Sequence, residues 1–145
     1  MARFTIAGRA TVAGTGVRAM ASLFAIAAQT GKIREVAVFN TTTTAVAVGL
    51  IRFTNATGVG AGLTEAQYDE AGPAPNCTGF AGHTADGAVG QVLAQASLGA
   101  AIGAGVIWTF GDTGLAIKLG TANGIGIHCP TGTGQICDYT ISWDE

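Results

Sequence analysis

Charged residues are scarce in this chain of 145 residues, since Asp, Glu, Lys and Arg together make up 11% of it, against about 25% in an average soluble domain. Hydrophobic residues make up 48%, which excludes an intrinsically disordered chain, because disordered chains combine low hydrophobicity with high charge. So little charge leaves the surface of a monomer largely neutral, and contact with other subunits would remove that surface from water. We therefore expect an obligate oligomer.

Basic residues are too few and too scattered for a nucleic-acid partner, which requires clustered Lys and Arg. Six of the seven basic residues lie within residues 1–60, and eight of the nine acidic residues lie within residues 61–145. Two interpretations of this uneven distribution stay open. The charges are either scattered over a solvated surface or form two faces of opposite sign that meet neighbours or a partner.

Long apolar segments are missing as well. The longest stretch without a polar side chain runs from Leu98 to Trp108, eleven residues, whereas a membrane-spanning helix needs about 20. The first ten residues contain no apolar segment of the length found in secretory signals. The three cysteines form no CxxC pair, which is typical of free thiols in a reducing compartment. We expect a protein made in a cytoplasm, with no membrane partner.

No segment contains a complete catalytic motif. Gly14, Gly16 and Ala19 have the G-x-G-x-x-A spacing of a dinucleotide-binding turn, but no later segment predicts the helices of a parallel βαβ fold. A nucleophilic Cys–His pair would need an orienting group and an oxyanion site, and the sequence indicates neither. We therefore predict a non-enzymatic protein that binds no cofactor.

Metal sites are conceivable, but they match no established ligand spacing. A zinc site would use residues that form no short ligand pairs, and a calcium site would use an acidic segment without the D-x-D-x-D-G register. We expect neither site to form. The candidate zinc ligands are Cys77, His83, Cys129 and Cys137, and the candidate calcium ligands are Glu65, Asp69 and Glu70.

Short β-type segments separated by glycine-rich turns make up most of the chain. Their spacing of about ten residues indicates an antiparallel sandwich or barrel, in one domain from residue 1 to residue 145. Residues 58–76 predict a long loop, and residues 17–28 are compatible with a helix or a strand. The segments expected to form strands are 3–12, 33–39, 45–53, 89–98, 105–110, 114–119, 124–129 and 135–143.

Residues 87–111 contain no charged side chain and six glycines. We expect strands from this run to turn one side to the core and the other to sister subunits, with glycines allowing backbones to approach closely. Trp108 and Phe110 face the same way at strand spacing, most simply into the core; an exposed aromatic platform for carbohydrate is the alternative. The residues assigned to the core or the subunit interface are Ile102, Val106, Ile107, Trp108 and Phe110.

Four segments carry a resemblance to a group of viral proteins. The segments are KIREVAVFNTTTTAVAVGLIRFTNATGVGAGLTE, ASLGAAIGAGVIWTFG, GTANGIGIHCPTGTGQ and TISWDE. They resemble small, glycine- and alanine-rich virion proteins of tailed bacteriophages, a group that is mostly uncharacterised. The resemblance covers most of the chain and includes no catalytic signature. It implies a β-sandwich of jelly-roll type, a trimer, and a position on the outside of the virion.

This resemblance makes a capsid decoration (cement) protein the leading hypothesis: a homotrimer that binds the major capsid protein on the outer surface of the phage head. A tail or baseplate component that binds host-surface glycans is the alternative. Because the N-terminal half carries the excess of arginine and chain termini are free to extend from a sandwich, we expect Arg3, Phe4 and Arg9 to contact the shell. The acidic segment 64–70 and the residues around Asp86 are expected to face solvent.

Overall fold

The computed structural model describes residues 1–26, 28–55, 59–131 and 134–145. Over these ranges the chain forms twelve β-strands, and none of the described residues is helical. The described residues accordingly offer no helix that is long and apolar enough to cross a membrane. The strands are β1 (Arg3–Arg9), β2 (Ala21–Phe24), β3 (Lys32–Asn40), β4 (Val46–Phe53), β5 (Ala61–Gly62), β6 (Ala66–Gln67), β7 (Thr78–Ala81), β8 (Val89–Leu98), β9 (Gly105–Thr109), β10 (Leu115–Ala116), β11 (Gly124–His128) and β12 (Cys137–Asp144).

The strands form two antiparallel sheets. Sheet 1 has the order β10–β3–β12–β1–β6, with β9 also paired to β3, and sheet 2 has the order β5–β7–β2–β11–β4–β8. Sheet 1 therefore contains the series β1–β12–β3–β9, and sheet 2 contains the series β2–β11–β4–β8. This interleaving of early and late strands in two facing sheets is the arrangement of a jelly roll. The jelly-roll β-sandwich expected from the sequence is confirmed.

The core between the sheets is built from alternate residues of each strand, because successive side chains of a strand point to opposite faces. On β1, Phe4 and Ile6 are buried, and on β12, Ile141 and Trp143 are buried beside them. Phe4 and Trp143 lie opposite each other in the β1–β12 register, and their rings stack with centroids 5.7 Å apart. Burying a large apolar side chain of this kind stabilises a fold by roughly 1.5–3 kcal/mol.

Sheet 2 is covered on its outer face as well. Phe24, Ile51 and Phe53 form a second buried cluster with Ala19, and the rings of Phe24 and Phe53 stack with centroids 6.0 Å apart. Because sheet 2 is covered on both faces, every residue of β11 is buried. The segments before β2 and after β7 thus serve as a cover for this sheet.

The strands differ from the sequence expectations in several places: β7 lies in a segment for which no strand was predicted, and β1 ends at Arg9 instead of residue 12. Residues 114–119 contain only the two-residue strand β10, and the expected loop at 58–76 includes the short strands β5 and β6. Residues 17–28, for which a helix and a strand were both open, contain β2, so no helix follows the glycines of the G-x-G-x-x-A spacing in the described residues. Residues 3–9 form β1, which is paired with β12 along its whole length and with β6 on its other side.

Close packing at Gly126 of β11 leads to a testable expectation. A Cβ atom at this position would lie 2.5 Å from Cε2 of Phe53 and 2.8 Å from Cβ of Ala19. Both neighbours are buried, so the substitution Gly126→Ala should lower the free energy of unfolding by about 1–3 kcal/mol, as overpacked cores do. Gly62→Ala in β5 is the matched control, because a Cβ there has nothing within 4 Å. Urea denaturation measures both variants, and equal stabilities would contradict the packing of this outer face.

Candidate functional site

The uncharged residues 87–111 form one side of the sandwich, which we name the uncharged edge. They supply β8, the outermost strand of sheet 2, and β9, an outermost strand of sheet 1. In the described part of the chain β8 pairs only with β4, and β9 pairs only with β3. The two strands contact each other, so the edges of both sheets meet on the same side of the protein.

Several apolar side chains of the uncharged edge point into solvent. Val92 is 55% exposed, Ile102 is 72% exposed and Ile107 is 54% exposed. Val106, Trp108 and Phe110 alternate with exposed residues, Ile107 among them, and are partly buried against the main core. The five residues that the sequence assigned to the core or the interface therefore fall into two groups. Val106, Trp108 and Phe110 pack against the core. Ile102 and Ile107 face solvent.

A sheet edge without charge or proline is unusual in a soluble monomer. Edge strands expose unpaired backbone N–H and C=O groups, and monomeric proteins commonly shield them with charged side chains or proline. The uncharged edge contains neither, although β8 is ten residues long; the irregularities in its pairing with β4, on either side of Ile51, interrupt only the half of the strand before Ala94. The edge thus offers both apolar side chains and free backbone hydrogen-bonding groups to a neighbouring chain.

Buried Asn40 at the end of β3 holds the turn of the uncharged edge in place. Its amide nitrogen Nδ2 donates hydrogen bonds to the carbonyls of Thr44 (2.7 Å) and Gly99 (3.1 Å). Its backbone N–H bonds to the carbonyl of Ala104, and its own carbonyl accepts from Gly103. The β3–β4 turn and the β8–β9 turn are therefore tied to each other. The segment NTTTT at residues 40–44 has the composition of a hairpin turn, but it connects β3 of sheet 1 to β4 of sheet 2, so the two strands are not paired. No local pattern indicates the contact of Asn40 with Gly99, because the two residues are 59 positions apart.

Arg3 and Arg9 lie on the outer face of sheet 1, where each is paired with a carboxylate of β12. Arg3 Nε lies 2.8 Å from Asp144, which also accepts a bond from Arg34 at 2.6 Å, and Arg9 Nε lies 2.7 Å from Asp138. Hydrogen bonds from Arg3 and Arg9 lower the pKa values of Asp144 and Asp138 respectively. Phe4 behaves differently, because its buried ring belongs to the core and cannot contribute to a contact surface of the folded protomer.

Four ion pairs between described residues show how the unevenly distributed charges are arranged in the structure. Besides the three just described, Arg18 pairs with Asp86 at 2.7 Å. Every one of these pairs joins a basic residue of the N-terminal half to an acidic residue of the C-terminal half. The opposite charges of the two halves meet inside the protomer, so this part of the charge distribution does not form two separate faces.

The acidic segment 64–70 faces solvent, as expected, since five of its seven residues are exposed, and it lies next to β1. Strand β6 of this segment pairs with β1, and the N–H of Tyr68 bonds to the carbonyl of Arg3. The segment therefore neighbours Arg3 and does not occupy an end of the protein opposite to it. Asp86 is paired with Arg18.

One buried pair resembles a nucleophile and its base. Ser22 Oγ lies 2.7 Å from His83 Nε2, and the imidazole stacks on the rings of Phe53 (5.1 Å) and Phe24 (6.3 Å). The nitrogen Nδ1 has no hydrogen-bond partner among the described residues, so no acidic side chain orients this histidine. Both side chains are buried, and a substrate has no access to them. No local sequence pattern indicates this pair, because its members are 61 residues apart.

The candidate metal ligands do not converge. Among the described residues no three His, Cys, Asp or Glu side chains are close enough to hold one ion. Cys77, Cys129 and Cys137 are buried free thiols, and burial raises the pKa of all three, that of Cys137 to about 12. The candidate calcium ligands Glu65 and Asp69 instead accept backbone N–H groups, from Gly79 and Ala71 respectively.

Comparison with other proteins adds no functional assignment, since no family model, no curated protein and no solved structure matches this chain.

Burial of His83 predicts that stability depends on pH. Desolvation lowers the pKa of His83 from 6.5 to about 4, so between these values the unfolded chain binds a proton that the folded protein excludes. The free energy of unfolding should therefore keep its highest value above pH 6.5 and decrease by about 3 kcal/mol as the pH falls to 4. Burial of His128 also lowers the pKa of that group and acts in the same direction.

Urea denaturation between pH 7 and pH 4.5 measures this effect. The carboxylates of Asp138 and Asp144, whose pKa values are lowered, lose their contribution only below this range. The variant His83→Gln should show a clearly smaller slope of stability against pH, whatever its absolute stability. An unchanged slope in this variant would contradict the assignment to His83.

Proposed function

We propose that this protein is a non-enzymatic structural subunit that assembles through its uncharged edge. The assembly that we propose is a homotrimer that decorates the outside of a tailed-bacteriophage head by binding the major capsid protein. The protein would thus reside on the outer surface of the virion after synthesis in the host cytoplasm.

The observation that carries the assembly proposal is the exposure of Val92, Ile102 and Ile107 on two uncharged sheet edges and the turn that joins them. Burying apolar surface yields roughly 25 cal/mol for each Å² removed from water, and a second chain can also satisfy the free backbone groups of β8 and β9. Such an interface needs no salt bridges, which agrees with the low charge of the chain. It also resists added salt, because screening weakens exposed ion pairs and not apolar contacts.

The decoration role is supported by the sequence resemblance together with the jelly-roll topology. A closed threefold assembly presents three copies of one face to a shell, and this multiplies a weak contact. The face that we assign to the shell is the outer face of sheet 1, which carries Arg3 and Arg9. Ile107 of the uncharged edge shares this face, but it lies three strands from Arg9 in the order β1–β12–β3–β9, roughly 14 Å at the usual spacing of adjacent strands, so the two contacts would adjoin.

Substitutions in the uncharged edge test the assembly. Ile102→Asp and Ile107→Asp place a charge on side chains that are exposed in the protomer, so each variant should fold and yet lose the trimer. Val12→Asp is the control, because Val12 is 49% exposed and lies outside the uncharged edge. Light scattering at micromolar concentration, with and without added salt, gives the oligomeric state, and the melting temperature confirms folding.

The wild-type protein and the Val12→Asp variant should both be trimeric at every salt concentration. A monomeric wild type would overturn the assembly proposal. Trimers that persist in both isoleucine variants would exclude the uncharged edge as the interface.

A binding experiment tests the decoration role. Undecorated phage heads are mixed with wild-type protein, Arg9→Glu or Arg18→Glu, and the particles are sedimented. Point variants are required, because removal of residues 1–9 would also remove β1 with its buried Phe4 and Ile6. Arg18 serves as the control, because its ion pair with Asp86 involves no residue of sheet 1.

We expect Arg9→Glu to weaken binding about tenfold, equivalent to about 1.4 kcal/mol, and Arg18→Glu to bind as the wild type does. Equal binding of the two variants would remove Arg9 from the shell contact. Failure of wild-type protein to bind heads would contradict the decoration role and favour the tail or baseplate alternative. In virions, a decoration protein should also give a gel band comparable to that of the major capsid protein.

A further inference from the structure

A cavity of about 580 Å³ lies between β1, the segment that follows β6 and the end of β12. This size is within the range of small-molecule sites in proteins, roughly 300–1,000 Å³. The cavity is at the β6 side of sheet 1, whereas the uncharged edge is at the β9 side of the same sheet. A ligand in the cavity and a neighbouring subunit at the uncharged edge would therefore not compete.

The cavity has an aromatic wall. Tyr68 lines it and is 63% exposed, which is a large exposed fraction for an aromatic side chain. The guanidinium of Arg3 lies 6.0 Å from the centre of the Tyr68 ring and supports the ring from one side. A tyrosine ring offers a flat apolar surface with a polar tip, and the C–H-rich face of a sugar ring stacks on such a surface.

Planar polar groups around the cavity have hydrogen-bonding capacity to spare. The Gln29 side chain makes no hydrogen bond to the other described residues, and Gln67 uses only its Nε2, which donates to the carbonyl of Pro73. One carboxylate oxygen of Asp69 accepts the N–H of Ala71, and the other has no partner in the described chain. Amide and carboxylate groups pair well with sugar hydroxyls, because each hydroxyl both donates and accepts.

The charges of the cavity favour a neutral ligand. The Glu145 carboxylate is occupied by four N–H donors, from Asn76 (two), Cys77 and Trp143, at 2.7–2.9 Å. Arg3 is already paired with Asp144. The remaining charges of the lining are the Asp69 carboxylate and the α-ammonium of Met1, which are opposite in sign, so the cavity has no excess charge to attract an ion and the amides offer neutral partners.

We propose that this cavity binds a neutral saccharide, with one sugar ring stacked on Tyr68 and its hydroxyls bonded to Gln29, Gln67 and Asp69. The cavity lies away from the uncharged edge, and of the two arginines assigned to the shell contact Arg3 lines it and Arg9 does not. Absence of sugar binding would therefore leave the assembly proposal standing, and a monomeric protein would leave the cavity intact.

Titration of the full-length protein with named sugars tests the site. The probes are glucose, galactose, mannose, N-acetylglucosamine, lactose and maltose, with glucuronate as the anionic comparison. Nuclear magnetic resonance follows the side-chain amide signals of Gln29 and Gln67. We expect saturable shifts of both signals with at least one neutral sugar and weaker binding of glucuronate.

Two variants separate the aromatic contact from other effects. Tyr68→Ala should weaken binding about tenfold, whereas Tyr68→Phe, which keeps the ring, should bind within about twofold of the wild type. Val12→Ala, at a similarly exposed position away from the cavity, should bind as the wild type does. The proposal is overturned if no neutral sugar gives saturable shifts, if glucuronate binds as tightly, or if Tyr68→Ala binds like Tyr68→Phe.

Discussion

Apolar packing between the two sheets is the interaction on which this structure depends, because the chain has little else to stabilise it. Four ion pairs join described residues, and three of them have a partly exposed arginine, where such pairs contribute only about 0–1 kcal/mol. Most of the stabilisation therefore comes from buried apolar side chains, such as Phe4 and Trp143 and the second cluster at Phe24 and Phe53. The same close packing explains the glycine at position 126. Gly126 has no side chain, and the ring of Phe53 occupies the space that a side chain would need.

Two surfaces of the sandwich differ in what they can do, and their chemistry explains why. The uncharged edge is apolar and carries free backbone groups, which suits a long, continuous contact with another chain. The cavity beside β1 is concave and lined by amides around one aromatic ring, which suits a small polar ligand. They lie at opposite sides of sheet 1, so one protomer can use both.

The sequence allowed the fold class and most strands to be predicted, because strand alternation and glycine-rich turns are local signals. Strand β8 was predicted with its boundaries, and the outward direction of Ile107 follows from the alternation with Val106 and Trp108. The features that depend on distant segments escaped prediction. Asn40 meets Gly99 only after folding, Ser22 meets His83 across two strands, and the cavity combines residues near both ends of the chain. No local sequence pattern indicates contacts between residues so far apart along the chain.

The pairing of β1 with β12 has a consequence for how the chain folds. These are the first and last strands along the sequence, and they are neighbours in sheet 1 along the full length of β1. Contacts of such large sequence separation slow folding, because a long loop must be closed before the contact contributes any free energy. On the ribosome, β1 and β3 emerge long before the strand that lies between them. Sheet 1 is therefore completed only after β12 has left the ribosome, so β1 and β3 remain without their shared neighbour until then.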